Sequence, residues 1–253
     1  MTLANNFIPL YYYRIRSSGA LSADTRIYYV SGIPAQRQIR GYKFPLYSQD
    51  RLMLCCNMDG KRNSILTSAL DTSQVFNGDD CYDLEFGNGG ELNCGCTVFS
   101  QFGSNLYNIT MLFSDNEIWG LVRSGTSWQK YRISSSVGCP APQTLDTIIV
   151  PPSEGQQNQN RSLAIWLGAG GVFVADGRHP IDVSNDIRDL FDQKSAIHIN
   201  LAAIGESSGF VDKTRAEYHL LISLSGTTTR DTEFVLDLKR WKWYQIERGS
   251  GKR

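Results

Sequence analysis

Thr232-Glu-Phe-Val-Leu-Asp-Leu-Lys-Arg-Trp-Lys-Trp-Tyr-Gln-Ile-Glu247 reads as two strands around a tight turn. Phe234-Val-Leu236 is apolar and β-branched at its centre. Asp237 to Arg240 supplies the turn, because an Asp carboxylate can accept from backbone amides two residues on. Trp241 to Ile246 returns as an aromatic strand, with Trp241 and Trp243 on one face and Lys242 and Tyr244 on the other. A single hairpin cannot bury its own apolar face and needs further strands to be stable.

The chain supplies similar hairpins. Glu117-Ile-Trp-Gly-Leu-Val122 turns through Arg123 to Thr126 into Ser127-Trp-Gln-Lys-Tyr-Arg-Ile133. Gly171-Val-Phe-Val-Ala175 turns at Asp176-Gly177 into Ile181-Asp-Val183. The centres Trp119, Val174 and Val235 lie 55 and 61 residues apart. A period of about 50–60 residues, with four strands per unit, predicts β-propeller-like blades rather than an α-solenoid. The expected fold is all-β: four or five four-stranded antiparallel blades in one domain over residues 1–253, with one short helix.

Lys plus Arg number 25 and Asp plus Glu number 25, so the net charge is zero. That argues against a dedicated DNA-binding domain, which carries a basic excess. No run of about 18 apolar residues predicts a membrane span. Met1-Thr-Leu-Ala-Asn-Asn lacks the basic and apolar regions of a secretory signal. Cysteines 55, 56, 81, 94, 96 and 139 do not follow zinc-knuckle spacing. They read as small buried hydrophobes, with Cys94 and Cys96 on one side of a strand.

Further strands are expected over residues 7–16, 26–30, 39–44, 51–56, 63–70, 92–100, 106–114, 147–150, 162–167, 197–204 and 216–224. Pro45 to Asp50 is expected to turn, Gly138 to Pro142 to connect stiffly, and Pro151 to Asn160 to form a flexible polar loop. Ser184 to Lys194 is the helix candidate, with Ile187, Leu190 and Phe191 on one stripe. Asp79, Asp80, Asp83 and Glu85 beside Gly87-Asn-Gly-Gly90 suggest calcium, but EF-hand spacing is absent and exposed turns fit better.

No catalytic, cofactor or metal residue is assigned. His198 and His219 lie in strand-like runs and read as structural; His179 reads as an exposed turn residue. No G-x-S-x-G elbow is present. Ser124 to Trp128 lacks the Asp of a sialidase turn, and Gly168-Ala-Gly-Gly171 has no following helix or Lys for a phosphate loop. Tyr and Arg in the N-terminal third suit a protein interface or the stacking of single-stranded nucleic acid, but ordinary strand composition is the default reading.

Val172-Phe-Val-Ala-Asp-Gly-Arg-His-Pro-Ile-Asp-Val-Ser-Asn-Asp-Ile187 resembles a recurring segment of bacteriophage tail proteins. There, a Phe-x-x-Asp-Gly strand end leads into Pro-Ile-x-x-Ser-x-x-Ile. Glu233 to Gly249, Asp50 to Ser68 and Val137 to Pro142 are similar to the same group, the tail hub or nozzle (packaged-DNA stabilisation) proteins of short-tailed phages. The resemblance implies a non-enzymatic virion protein, made in the host cytoplasm, without cofactors. It implies a homo-oligomeric ring, a hexamer by expectation, below the portal and adaptor and near tail fibres or spikes. Double-stranded DNA would pass non-specifically along the axis. Members of that group are expected to be longer, so this chain would be a compact version, a fragment or a reused propeller domain. The alternative from the residues is a carbohydrate-binding or glycan-cleaving propeller; a host-encoded propeller scaffold is a third reading.

Overall fold

The computed structural model describes residues 12–13, 28–29, 41–76, 80–87, 89–102, 105–125, 127–150 and 161–246. Two compact units divide the chain, Met1–Glu91 and Leu92–Arg253. The expected loop 151–160 and the residues after 246 lie outside the described part, as does most of the expected strands 7–16 and 26–30. Of these strands, β1 (Tyr12–Tyr13) and β2 (Tyr28–Tyr29) form an antiparallel pair.

The first unit carries one four-stranded antiparallel meander: β3 (Tyr42–Ser48), β4 (Arg51–Asn57), β5 (Ser64–Thr67) and β6 (Asp83–Glu85). The expected turn from Pro45 to Asp50 is shorter than the sequence suggested. Pro45 to Ser48 belong to β3, and only Gln49 and Asp50 turn, at φ +54° and +59°. Two positive φ values match the right-handed twist of the flanking strands. Pro45 is tolerated because β3 is an edge strand and a missing amide there breaks no inner ladder. Asp83 and Glu85, read as turn residues, are strand residues.

The second unit holds three more meanders. They are β7 (Cys94–Phe102), β8 (Asn105–Phe113), β9 (Ile118–Ser124) and β10 (Ser127–Ser134); β11 (Asp146–Val150), β12 (Arg161–Gly168), β13 (Gly171–Ala175) and β14 (Ile181–Asp182); and β15 (Ser208–Asp212), β16 (Glu217–Ile222), β17 (Thr232–Asp237) and β18 (Lys242–Ile246). Every pairing is antiparallel between consecutive strands, apart from one bridge, Arg161 opposite Ser100, that joins the first two meanders. Trp119, Val174 and Val235 fall on β9, β13 and β17, the third strand of each meander. The period read from the sequence is therefore the blade-to-blade spacing. The fold is all-β, with four propeller-like blades among the described residues.

Two apolar layers join the blades of the second unit. Cys96, Val98, Met111, Phe113, Trp166 and Ala175 fill one, between the β7–β10 and β11–β14 blades. Ile165, Val172, Tyr218, Leu220, Phe234 and Leu236 fill the other, between the β11–β14 and β15–β18 blades. The first strands also meet: the Val211 amide on β15 donates to Asp146 Oδ2 on β11 at 2.8 Å.

The last blade closes two of its hairpins with the same device. Asp237 Oδ1 accepts from the amides of Lys239 (2.8 Å) and Arg240 (3.1 Å), and Asp212 Oδ1 from those of Thr214 (2.8 Å) and Arg215 (3.1 Å). Each loop ends on a left-handed residue, Trp241 at φ +55° and Ala216 at φ +59°. Trp241, expected on the strand beside Trp243, is thus a loop residue, and β18 begins at Lys242. The Lys239 amide holds the Asp237 carboxyl below its usual range, and the Arg215 amide does the same for Asp212. A carboxyl with a depressed folded pKa adds stability above its unfolded pKa and loses it as pH falls through the folded one. The wild type is therefore expected to lose more of its urea midpoint than an Asp212→Asn/Asp237→Asn double variant between about pH 6 and about pH 3. A gap between the two proteins that stays constant with pH would refute this.

The helix candidate forms, but as a seven-residue 3₁₀ segment, Asn185–Phe191, kinked at Ile187 (φ −120°). Leu190 is buried, and Ile187 and Phe191 pack on the second apolar layer as the stripe required. Ser184 does not cap it; its hydroxyl is hydrogen-bonded to Asp182. The strand expected over 197–204 is instead the 3₁₀ segment Leu201–Glu206, opened by Asn200 accepting from the Ala202 amide at 3.1 Å. That side-chain bond offers the backbone an alternative to a ladder. Among the described residues, no helix is long and apolar enough to cross a membrane.

Candidate functional site

One concavity in the second unit begins with a glycine. Gly120 on β9 pairs with Tyr131 on β10. The Tyr131 ring lies across Gly120, where a Cβ would collide with it. From there the Tyr131 hydroxyl donates to the Gly177 carbonyl at 2.9 Å. Gly177 stands at φ +91°, and a Cβ on it would approach Ile109 Cδ1 to 2.6 Å. Only glycine fits both the left-handed turn and the contact. Burial raises the Tyr131 phenol above its ordinary pKa, and the Asp176 carboxylate adds to this, so it remains a neutral donor.

These contacts set the Asp176–His179 turn against the face of β8, β9 and β10. Between them is a cleft of about 430 Å³. Its floor is Ile109, Val122 and Ile133, its walls include Tyr107 and Tyr131, and its rim carries the Asp176–His179 turn; the Arg132 guanidinium is on the opposite face of the sheet, over the Trp119 ring. Tyr107 is 46% exposed. His179 is exposed, as the sequence suggested, and lines this cleft. An apolar floor with a few polar groups on the rim is the usual make-up of a small-ligand site.

A second cluster crosses the last blade. His219 Nδ1 is 2.8 Å from Glu233 Oε1, and Nε2 is 3.5 Å from Glu217 Oε2. The Tyr244 hydroxyl donates to Glu217 Oε1 at 2.7 Å. Phe210 stacks on the imidazole, with centroids 4.7 Å apart and planes 1° from parallel. Partial burial and the Glu217 carboxylate push the Tyr244 phenol up to about 12. Glu233 is 2% exposed, so the histidine supplies a hydrogen-bonded partner for an otherwise costly buried carboxylate. His198 Nδ1 lies 2.8 Å from the Ser195 carbonyl oxygen, in a loop rather than a strand. Among the described residues, none of the three histidines is hydrogen-bonded to a Ser or Cys side chain.

The acidic stretch before Gly90 is put to structural use. Asp80 Oδ1 accepts from Arg51 Nη2 at 2.6 Å, and Glu85 pairs with Lys61. Asp79 lies outside the described residues. Among the described residues, no group of three or more His, Cys, Asp or Glu is placed to hold a metal. All six cysteines are free, and all but Cys81 are buried. Burial pushes the Cys55 and Cys96 thiols up, which keeps them unreactive and apolar.

Sequence reading found His179 and the Asp-Gly turn but not the opposite wall. The available signal was Gly120, a glycine inside a strand two residues from the end of an apolar run, which marks a close approach. The Glu217-x-His219 spacing likewise placed both side chains on one face of a strand. Glu233 could not be placed without the β16–β17 register. Compared with known proteins, the chain matches no family model and no curated protein.

Proposed function

We propose that this chain is a structural virion protein, a tail hub or nozzle component of a short-tailed phage. It assembles as a homo-oligomeric ring, a hexamer in the simplest case, below the portal and adaptor and beside fibre or spike proteins. There it retains or conducts the packaged DNA. The observation that supports this most is the use made of the Phe-x-x-Asp-Gly segment. Phe173 ends in the Asp176–Gly177 turn, and that turn is the tie to the neighbouring blade through Tyr131. The stretch that carries the resemblance is thus an architectural joint. Propeller-like blades also present loops on broad faces suited to joining neighbours, and zero net charge suits a channel that passes DNA without holding it.

The test is the mass of the purified chain by light scattering over a concentration series, alone and with portal–adaptor particles. A closed multiple of 28.3 kDa is expected. A monomer throughout that also fails to join those particles would overturn the reading.

A further inference from the structure

We propose that the cleft above β8–β10 is a saccharide-binding site, with a pyranose ring stacked on Tyr107 and its hydroxyls held by the Asp176–His179 turn. Three features of the cleft select this class of ligand. First, its aromatic wall is wet. Tyr107 is 46% and Tyr131 37% exposed, so each offers ring surface to solvent at the mouth of a concavity. Sugars present patches of C–H on their ring faces and hydroxyls at their edges. An amphipathic aromatic wall above an apolar floor matches that division.

Second, the rim mixes donors and acceptors. The Asp176 carboxylate can accept, while the Arg178 guanidinium and the His179 imidazole can donate. Paired hydroxyls on a sugar require both kinds. A phosphate ligand would call for a cationic cradle, and the carboxylate at this rim opposes one. Third, the cleft is rigidly built. Gly120 lets Tyr131 fold over the sheet, Tyr131 fastens the turn, and Gly177 lets the turn sit against Ile109. A preformed site loses less ordering entropy when the ligand arrives. About 430 Å³ is within the range of roughly 300–1,000 Å³ common for such sites and suits a short oligosaccharide rather than a long polymer segment.

The inference does not rest on the virion reading: a chain that stays monomeric, fails to join portal–adaptor particles and binds sugar here would sink that reading and keep this one. The test uses the full chain on an array of neutral, N-acetylated and uronate oligosaccharides, followed by calorimetric titration with those that bind. At least one is expected to bind. Tyr107→Ala is expected to weaken it tenfold or more at unchanged melting temperature, and Tyr107→Phe, which keeps the ring, to restore most of the affinity. Absence of binding across the array overturns the proposal. So does a sugar bound equally well by the Tyr107→Ala variant, because it must then sit elsewhere.

Discussion

Arg51→Ala is expected to cost the first unit about 2–5 kcal/mol, the range for emptying the site of a long buried side chain, since Asp80, the charge left behind, is half exposed. Arg51 is the first residue of β4 and is 0% exposed. Its Nη1 donates to the carbonyls of Ser68 and Asp80, each at 2.6 Å, and its Nη2 to Asp80 Oδ1. Its guanidinium also lies over the Tyr82 ring, 5.8 Å from the centroid. One side chain thus ties the start of β4 to the end of β5 and to the polar stretch before β6. Removing it leaves the Ser68 carbonyl buried without this donor and opens a cavity the size of a long side chain. The contrast is Lys61 with Glu85, a pair whose side chains are 66% and 48% exposed. Lys61→Ala is expected to change stability by less than about 1 kcal/mol, as water screens such pairs. Urea unfolding followed by circular dichroism would read both. If the two variants lose the same small amount, Arg51 is not a structural tie.

The same arginine shows where sequence reading reaches its limit. Arg51 opens a run, Leu52-Met-Leu-Cys-Cys56, that reads correctly as a strand, and nothing local says that a charge there is buried. Its partner is 29 residues away in a stretch whose composition suggests solvent or calcium. What the sequence did carry was hydrophobic periodicity within each hairpin and the recurrence of that hairpin. Both are local properties, and both survive in β9–β10, β13–β14 and β17–β18. The Asp237 turn was legible for the same reason, since carboxylate and amides are neighbours in the chain. Its twin at Asp212 was missed, because Ser208-Gly-Phe-Val211 before it is too short an apolar run to announce the strand that the turn closes. The 3₁₀ segments were read as helix and strand because propensity cannot tell that packing favours a tighter turn. The cleft was half legible: the Asp176–His179 turn is a sequence motif, whereas Tyr107 and Tyr131 join it only through the stacking of two blades.

That stacking can be tested at its centre. Trp166→Ala is expected to lower the melting temperature of the chain by on the order of 10 °C, the shift that corresponds to about 3–5 kcal/mol in a domain of this size. Trp166 is on β12 and is 0% exposed. Its ring meets Phe113 of the preceding blade edge-on, with centroids 5.0 Å apart, and stacks on Phe173 of its own blade at 6.0 Å and 25°. Its indole Nε1 donates to the Gly138 carbonyl at 3.0 Å. Gly138 in turn has no room for a side chain, since a Cβ would strike the backbone of Ser114, Asp115 and Asn116. The indole therefore joins two blades and the connector between them. Trp166→Phe separates the contributions. It keeps most of the apolar contact but leaves the Gly138 carbonyl without its donor, so it should cost about 1–3 kcal/mol. A Trp166→Ala shift of about 2 °C or less would mean that the blades are held together elsewhere. A large shift shared equally by Trp166→Phe would place the strength in the hydrogen bond rather than in the packing. The expected order, Ala well below Phe and Phe modestly below wild type, follows from the ring touching both aromatic neighbours and the connector at once.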